Sequence, residues 1–124
     1  MKDRGDKGFR KLNVWKRAHE LTLLVYKHSE SIPKREMFGL TSQIRRASAS
    51  VPANIAEGYA LGSSAQFLRH LRIAQGSLAE EEYFLILAFD LDYLSQDEYD
   101  EAESLRAEVG FLLSRLIKSV ENKK

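Results

Sequence analysis

The sequence predicts an all-α fold: an antiparallel up-down-up-down four-helix bundle whose second helix is kinked at Pro52. Three observations predict it. Apolar residues recur at steps of three and four along four long segments, the spacing that gathers them on one side of a helix. The 124 residues hold only 2 Pro and 7 Gly, too few for a domain of many short strands and turns. The stretches between the periodic segments are short, so consecutive helices must double back on one another. A chain of this length suits one core. The pattern assigns residues 9–121 to the bundle and residues 1–8, charged and glycine-containing, to a flexible N-terminal tail.

The first helix is expected from about Asn13, a candidate N-cap, to Ser31, with Trp15, Ala18, Leu21, Val25 and Ile32 on its apolar side. Pro33 stops it, and Lys34 to Gly39 form a loop. The second helix opens near Thr41 or Ser42 and reaches about Leu61, with Leu40, Ile44, Ala47, Val51 and Ile55 as its stripe. Pro52 removes one backbone donor and so frees the Ser48 carbonyl. The stripe keeps its phase across Pro52, which favours one bent helix over two short ones.

Gly62-Ser63-Ser64 makes a corner with a capping serine, and the third helix follows from about Ser64 to Tyr93. Its first half is amphipathic through Phe67, Leu71, Ala74 and Leu78. Its second half, Tyr83 to Phe89, is apolar all round and must be covered on every side. One bundle covers one side, so Phe84, Leu87 and Phe89 are the candidates for a subunit interface. Ser95-Gln96-Asp97-Glu98 reads as a capping box opening the fourth helix, which continues to about Val120.

Composition excludes several classes. Without Cys there is no disulfide, thiol nucleophile or thiolate metal site, which fits a reducing cytoplasm. The longest apolar run, Tyr83 to Phe89, is far short of a membrane span, and no apolar signal region follows the N-terminus. Net charge is +1 but unevenly spread. Residues 1–75 hold 14 Lys and Arg against 6 Asp and Glu, whereas residues 76–124 hold 5 against 12. Such polarity suits either a basic face for nucleic acid or attraction between basic and acidic helices, within a chain or between subunits. The basic candidates for phosphate contact are Lys11, Lys16, Arg17, Arg45, Arg46, Arg69 and Arg72.

A polar file borders the apolar stripe of the second helix. Gln43, Ser50 and Glu57 are seven apart on one face, with Asn54 on the neighbouring column. In the third helix Glu80 shares a column with Ile73 and Leu87, Ser77 lies close by, and Gly76 would let another helix approach. Glu57 and Glu80 are the conceivable acid–base or metal-binding pair. The Glu-x-x-His motif of di-iron bundles is missing, and His19 and His28 are nine apart rather than three or four. No phosphate loop, nucleophile elbow or His-Glu-x-x-His run occurs. The residues therefore favour a structural reading: Gln43, Ser50, Asn54, Glu57, Ser77 and Glu80 form a buried polar network that fixes helix register, with no catalytic residue, metal or cofactor.

Phe38-Gly39-Leu40-Thr41-Ser42-Gln43-Ile44-Arg45-Arg46-Ala47, the block Ser50 to Tyr59 with Asn54-Ile55-Ala56-Glu57-Gly58, and Ile73 to Glu80 with Glu82 together resemble the bacterial four-helix-bundle family encoded in intervening sequences of 23S rRNA genes. Leu12-Asn13-Val14-Trp15 resembles the family's start, and the likeness spans roughly residues 9–120. The resemblance implies a ring-like homopentamer without established enzymatic activity, associated with RNA or DNA. It also implies kinship with the accessory variability proteins of diversity-generating retroelements, which bind RNA and a reverse transcriptase. The family often carries basic residues after Tyr59, where Ala60, Leu61 and Gly62 stand here. The expectation is a non-enzymatic homo-oligomer that associates with structured RNA, or alternatively an accessory subunit that docks a partner such as a reverse transcriptase.

Overall fold

The computed structural model describes residues 5–123, and among them every regular element is helical: α1 (Asn13–His28), α2 (Leu40–Ala60), α3 (Ser64–Asp90) and α4 (Gln96–Asn122), with short 3-10 turns at Gly8–Lys11, Ser29–Ser31 and Lys34–Glu36. Residues 1–4 of the expected tail lie outside the described residues. Gly8 already opens a 3-10 turn, and Asp6 pairs with Lys16 at 3.0 Å, so the segment from Asp6 onward is tied to α1.

Cross-helix contacts fix the topology. Thr22 of α1 meets Ser48 of α2, and Arg45 of α2 meets Ser29 beyond the end of α1. Ser50 and Asn54 of α2 meet Ser77 and His70 of α3. Glu82 and Arg72 of α3 meet Arg106 and Glu121 of α4, while Arg17 and His28 of α1 meet Glu108 and Glu101 of α4. In each pair one residue number rises as the other falls, so neighbouring helices run antiparallel. The helices form a closed four-cornered bundle with α1 diagonal to α3. Leu21, Val25, Ile44, Val51, Ile55, Leu71, Leu85, Val109 and Leu113 fill its core.

The helix ends follow from local chemistry. α1 starts one residue earlier than an Asn13 cap requires: Leu12 is the extended N-cap residue, without a side-chain bond, and Asn13 is already helical. α1 then tightens to a 3-10 turn at Ser29, because Pro33 forces Ile32 into an extended conformation. Ser63 caps α3 by accepting from the Gln66 amide, and Gly62 takes the left-handed conformation that ends α2. α3 stops at Asp90, three residues short of the expected Tyr93. Asp92 adopts φ 64°, and the amides of Asp92 and Tyr93 fold back to the carbonyls of Phe89 and Ala88. That is a Schellman ending with Asp in the place usually held by Gly. Ser95 and Glu98 form the expected capping box.

Pro52 lies inside an unbroken α2, as the continuous stripe requires. The Ser48 carbonyl that it releases is not abandoned: the Thr22 hydroxyl reaches it across the α1–α2 contact at 3.1 Å, sharing its proton with the Ala18 carbonyl. Both residues are buried, so this bond spares an orphaned carbonyl in the core. The close approach of helices expected at Gly76 occurs instead at Gly58. A Cβ on Gly58 would lie 2.7 Å from the His70 Cβ, whereas one on Gly76 would meet nothing within 4 Å among the described residues.

Candidate functional site

The polar file is assembled between α2 and α3, but with different members. Ser50 and Ser77 share a hydroxyl bond at 2.8 Å. The Asn54 amide nitrogen donates to the Ser50 carbonyl at 2.9 Å and to the Ser50 hydroxyl at 3.0 Å. With its nitrogen committed there, Asn54 turns its oxygen to Nδ1 of His70 at 3.0 Å, so that ring nitrogen carries the proton. Nε2 of His70 then points toward Glu57 at 3.8 Å. His70 is buried and Glu57 exposed.

Of the six residues expected in this network, Ser50, Asn54 and Ser77 belong to it and Glu57 touches its edge. Gln43 and Glu80 are exposed and take no part, which corrects the expectation that they are buried. About 15 Å of helix axis separates Glu80 from His70 at about 1.5 Å per residue, so Glu57 and Glu80 do not meet as a pair. His70 is missing from the expected set because its partners come from α2, and spacing along α3 alone cannot reveal them. Asn54→Ala is expected to destabilise the fold by about 1–3 kcal/mol, since it strands the His70 donor in a buried setting. Chemical denaturation measures the loss; an unchanged midpoint would show that water replaces the amide.

The sealed carboxylate is Glu81, not Glu80. The stripe Leu71, Ala74, Leu78 continues through position 81 to Leu85 and Ala88, so Glu81 projects into the core and is 0% exposed. Neither carboxyl oxygen has a hydrogen-bond partner among the described residues. Burial pushes its pKa up to about 7, and the nearby Ser48 hydroxyl and the Arg106 charge only partly oppose this. Arg106 is already held by Glu103, at 2.6 and 2.7 Å, and by Glu82 at 3.3 Å.

The seven basic candidates separate in the same way. Lys16 is paired with Asp6, Arg17 with both Glu108 oxygens at 2.8 Å and with Glu20, and Arg72 with Glu121. Arg45 lies over the Tyr26 ring at 4.8 Å and donates to Ser29. Lys11, Arg46 and Arg69 are exposed and form no ion pair among the described residues. Lys11 lies 6.0 Å from the centre of the Tyr59 ring, at the end of the bundle where α2 finishes and α3 begins, and Arg69 is in the opening turns of α3 at that same end. Arg46 stands toward the other end, in the second turn of α2.

The expected interface residues Phe84, Leu87 and Phe89 are half-buried by the chain itself, with Phe89 stacked on Tyr99 at 4.6 Å. The exposure falls on their neighbours, Tyr83 at 57% and Ile86 at 40%. The largest is elsewhere: Phe38, in the turn before α2, is 98% exposed beside Met37 and Tyr26. The sequence places Phe38 in a loop and gives no periodic signal for it. No His, Asp and Glu cluster of three or more able to hold a metal occurs among the described residues, and no helix among them is long and apolar enough to cross a membrane.

Comparison with known proteins converges on one family. No curated protein matches the chain. A crystal structure of a protein of unknown function from the S23 ribosomal protein family of Bacteroides thetaiotaomicron VPI-5482 is similar, with a TM-score of 0.76 and 28% sequence identity over 85% of this chain and 95% of that one. Residues 10–115 match the 23S rRNA-intervening sequence proteins. A match of that extent, carried on the same four-helix architecture, shows that the chain belongs to the 23S rRNA-intervening sequence protein family.

Proposed function

We propose that the protein is a non-catalytic, self-associating bundle that holds structured RNA through its cationic end. The observation that carries the RNA reading is the position of Lys11 and Arg69. Both are exposed at the end where α2 gives way to α3, and neither is neutralised by an acid among the described residues. Cations so placed contact phosphate without reading sequence. The family is named for an intervening sequence of 23S rRNA, and the Bacteroides protein belongs to a ribosomal protein family, so RNA is the macromolecule to test.

Self-association would repeat this modest patch and so raise its avidity. Phe38, Tyr83, Ile86 and Phe111, all strongly exposed, support association, with five copies the number that the family resemblance implies. A non-catalytic role is supported by the state of the polar groups. The seam side chains are spent on one another, and Glu81 is sealed from any substrate.

Solution mass by light scattering, with and without a structured RNA at low and high salt, tests this reading. The mass is expected to rise with RNA at low salt only, and Lys11→Glu with Arg69→Glu should abolish the rise while leaving the RNA-free mass unchanged. Each lost phosphate contact should flatten the salt dependence by roughly one unit of slope. RNA retention that ignores salt, or none at low salt, would overturn it.

A further inference from the structure

The exposed Phe38 has a counterpart on the same chain. A groove of about 400 Å³ runs between α1 and α4, floored by Leu24 and Leu105 and rimmed by Glu20, Glu101 and Glu108 against the single cation Arg17. The rim is therefore net acidic and repels phosphate. The Phe38 corner has the opposite character. Phe38 projects from the turn leading into α2, beside Met37, Arg45 and exposed Arg46, and Arg46 has no acidic partner among the described residues. The 3-10 turn just before it adds Lys34 and Arg35 against one acid, Glu36, which accepts from the Tyr93 hydroxyl at 3.0 Å. One corner is an apolar knob with a basic collar, and the other is an apolar slot with an acidic rim.

We propose that these two surfaces are the two halves of one subunit contact: the Met37–Phe38 knob of one copy enters the α1–α4 groove of the next. The occupant of the groove is thus a second copy of this chain, and the proposal rests on the self-association read above. Three observations favour this occupant over nucleic acid. An aromatic ring gains most when it leaves water completely, and the Leu24–Leu105 floor gives it an apolar seat. The collar and rim carry opposite charge, which orients the encounter and disfavours the knob-to-knob arrangement. The chain as a whole is built the same way, basic over residues 1–75 and acidic over 76–124, yet nearly neutral in sum. Part of that difference is neutralised inside the chain, by Arg17 with Glu108 and Arg72 with Glu121, and the remainder favours contact with a second copy.

Knob and groove are different surfaces, so the contact is heterologous. It propagates around a ring when the rotation closes, rather than stopping at a twofold dimer. This makes a distinctive test possible, because each half can be disabled separately. Phe38 is almost wholly solvent-exposed and Ser104, on the groove wall, is exposed, so Phe38→Asp and Ser104→Arg leave the core untouched. Circular dichroism and melting of each variant establish that both fold.

In light scattering the wild type is expected to be a higher oligomer, and each variant alone should fall to the mass of one chain. Mixed in equal amounts, the two variants should combine to twice that mass and no further. The intact groove of the Phe38→Asp chain accepts the intact knob of the Ser104→Arg chain, and the spoiled ends stop growth. A folded Phe38→Asp variant that keeps the full oligomeric mass would overturn this contact while leaving self-association standing. A monomeric wild type would overturn both. Variants that are each monomeric but do not combine would show that knob and groove are not partners. A Phe38→Asp chain with unchanged mass but lost RNA retention would assign the corner to nucleic acid instead.

Discussion

Glu81→Gln is expected to gain about 3 kcal/mol of stability relative to the wild type on going from about pH 4 to about pH 8, a difference read from denaturation curves across that range. The reason is the burial of Glu81, 0% exposed with neither oxygen hydrogen-bonded among the described residues and a pKa pushed up to about 7 from the ordinary 4.5. Below pH 4.5 the carboxyl is protonated in both folded and unfolded chains, and it costs nothing electrostatically. Between 4.5 and about 7 the unfolded chain releases this proton while the folded chain keeps it. Stability therefore falls by about 1.4 kcal/mol per pH unit, and it levels off above the folded value.

The charged groups around Glu81 do not remove this cost. Arg106 of α4 attracts the carboxylate but is shared with Glu103 and Glu82, Glu103 itself repels the carboxylate, and the Ser48 hydroxyl of α2 helps only in part. Glutamine has nearly the same shape and no charge to desolvate, and the cost of burying its amide is the same at every pH, so it leaves the difference between the two pH values unchanged. Wild-type and Glu81→Gln curves that run parallel from about pH 4 to about pH 8 would mean that water or a neighbour reaches the carboxylate and that Glu81 titrates as a surface group.

Much of the bundle is legible in the sequence because its signals are local. The stripe through Ile44, Val51 and Ile55 sets the phase of α2 across Pro52, and Ser95 with Glu98 marks the start of α4. What escapes such reading depends on neighbours in space. The expected α3 overruns its true end because Asp92, not Gly, holds the left-handed position. The buried carboxylate is Glu81 rather than the expected Glu80, and the step of three from Leu78 and four to Leu85 selects position 81. The signal is thus present in the run Glu80-Glu81-Glu82, and the expectation misses it by one residue. The pairing of Arg17 with Glu108 and of Arg72 with Glu121 joins residues far apart in the chain, so no spacing rule separates them from Lys11 and Arg69, which form no ion pair among the described residues. Phe38 lies beyond the reach of periodicity because a turn has none.

Two glycines in helices should respond oppositely to the same substitution. Replacing a helical Gly by Ala ordinarily gains about 1 kcal/mol in propensity. At Gly76 the new Cβ meets nothing within 4 Å among the described residues, so Gly76→Ala should show that gain in full. At Gly58 the Cβ would lie 2.7 Å from the His70 Cβ and 3.1 Å from the Phe67 ring. The His70 Cβ is fixed to the α3 backbone, so no rotamer change relieves the contact and α3 must move away from α2. Overpacking of this kind costs about 1–3 kcal/mol. The movement also lengthens the 3.0 Å bond between His70 and Asn54 and the 2.8 Å bond between Ser50 and Ser77, adding about 1 kcal/mol for each buried bond that breaks. Gly58→Ala is therefore expected to be net destabilising by about 2 kcal/mol despite its better helix propensity, while Gly76→Ala raises the melting temperature. Equal gains at both positions would show that α2 and α3 can separate at Gly58 without loss, and that the glycine there is not what lets the polar seam close.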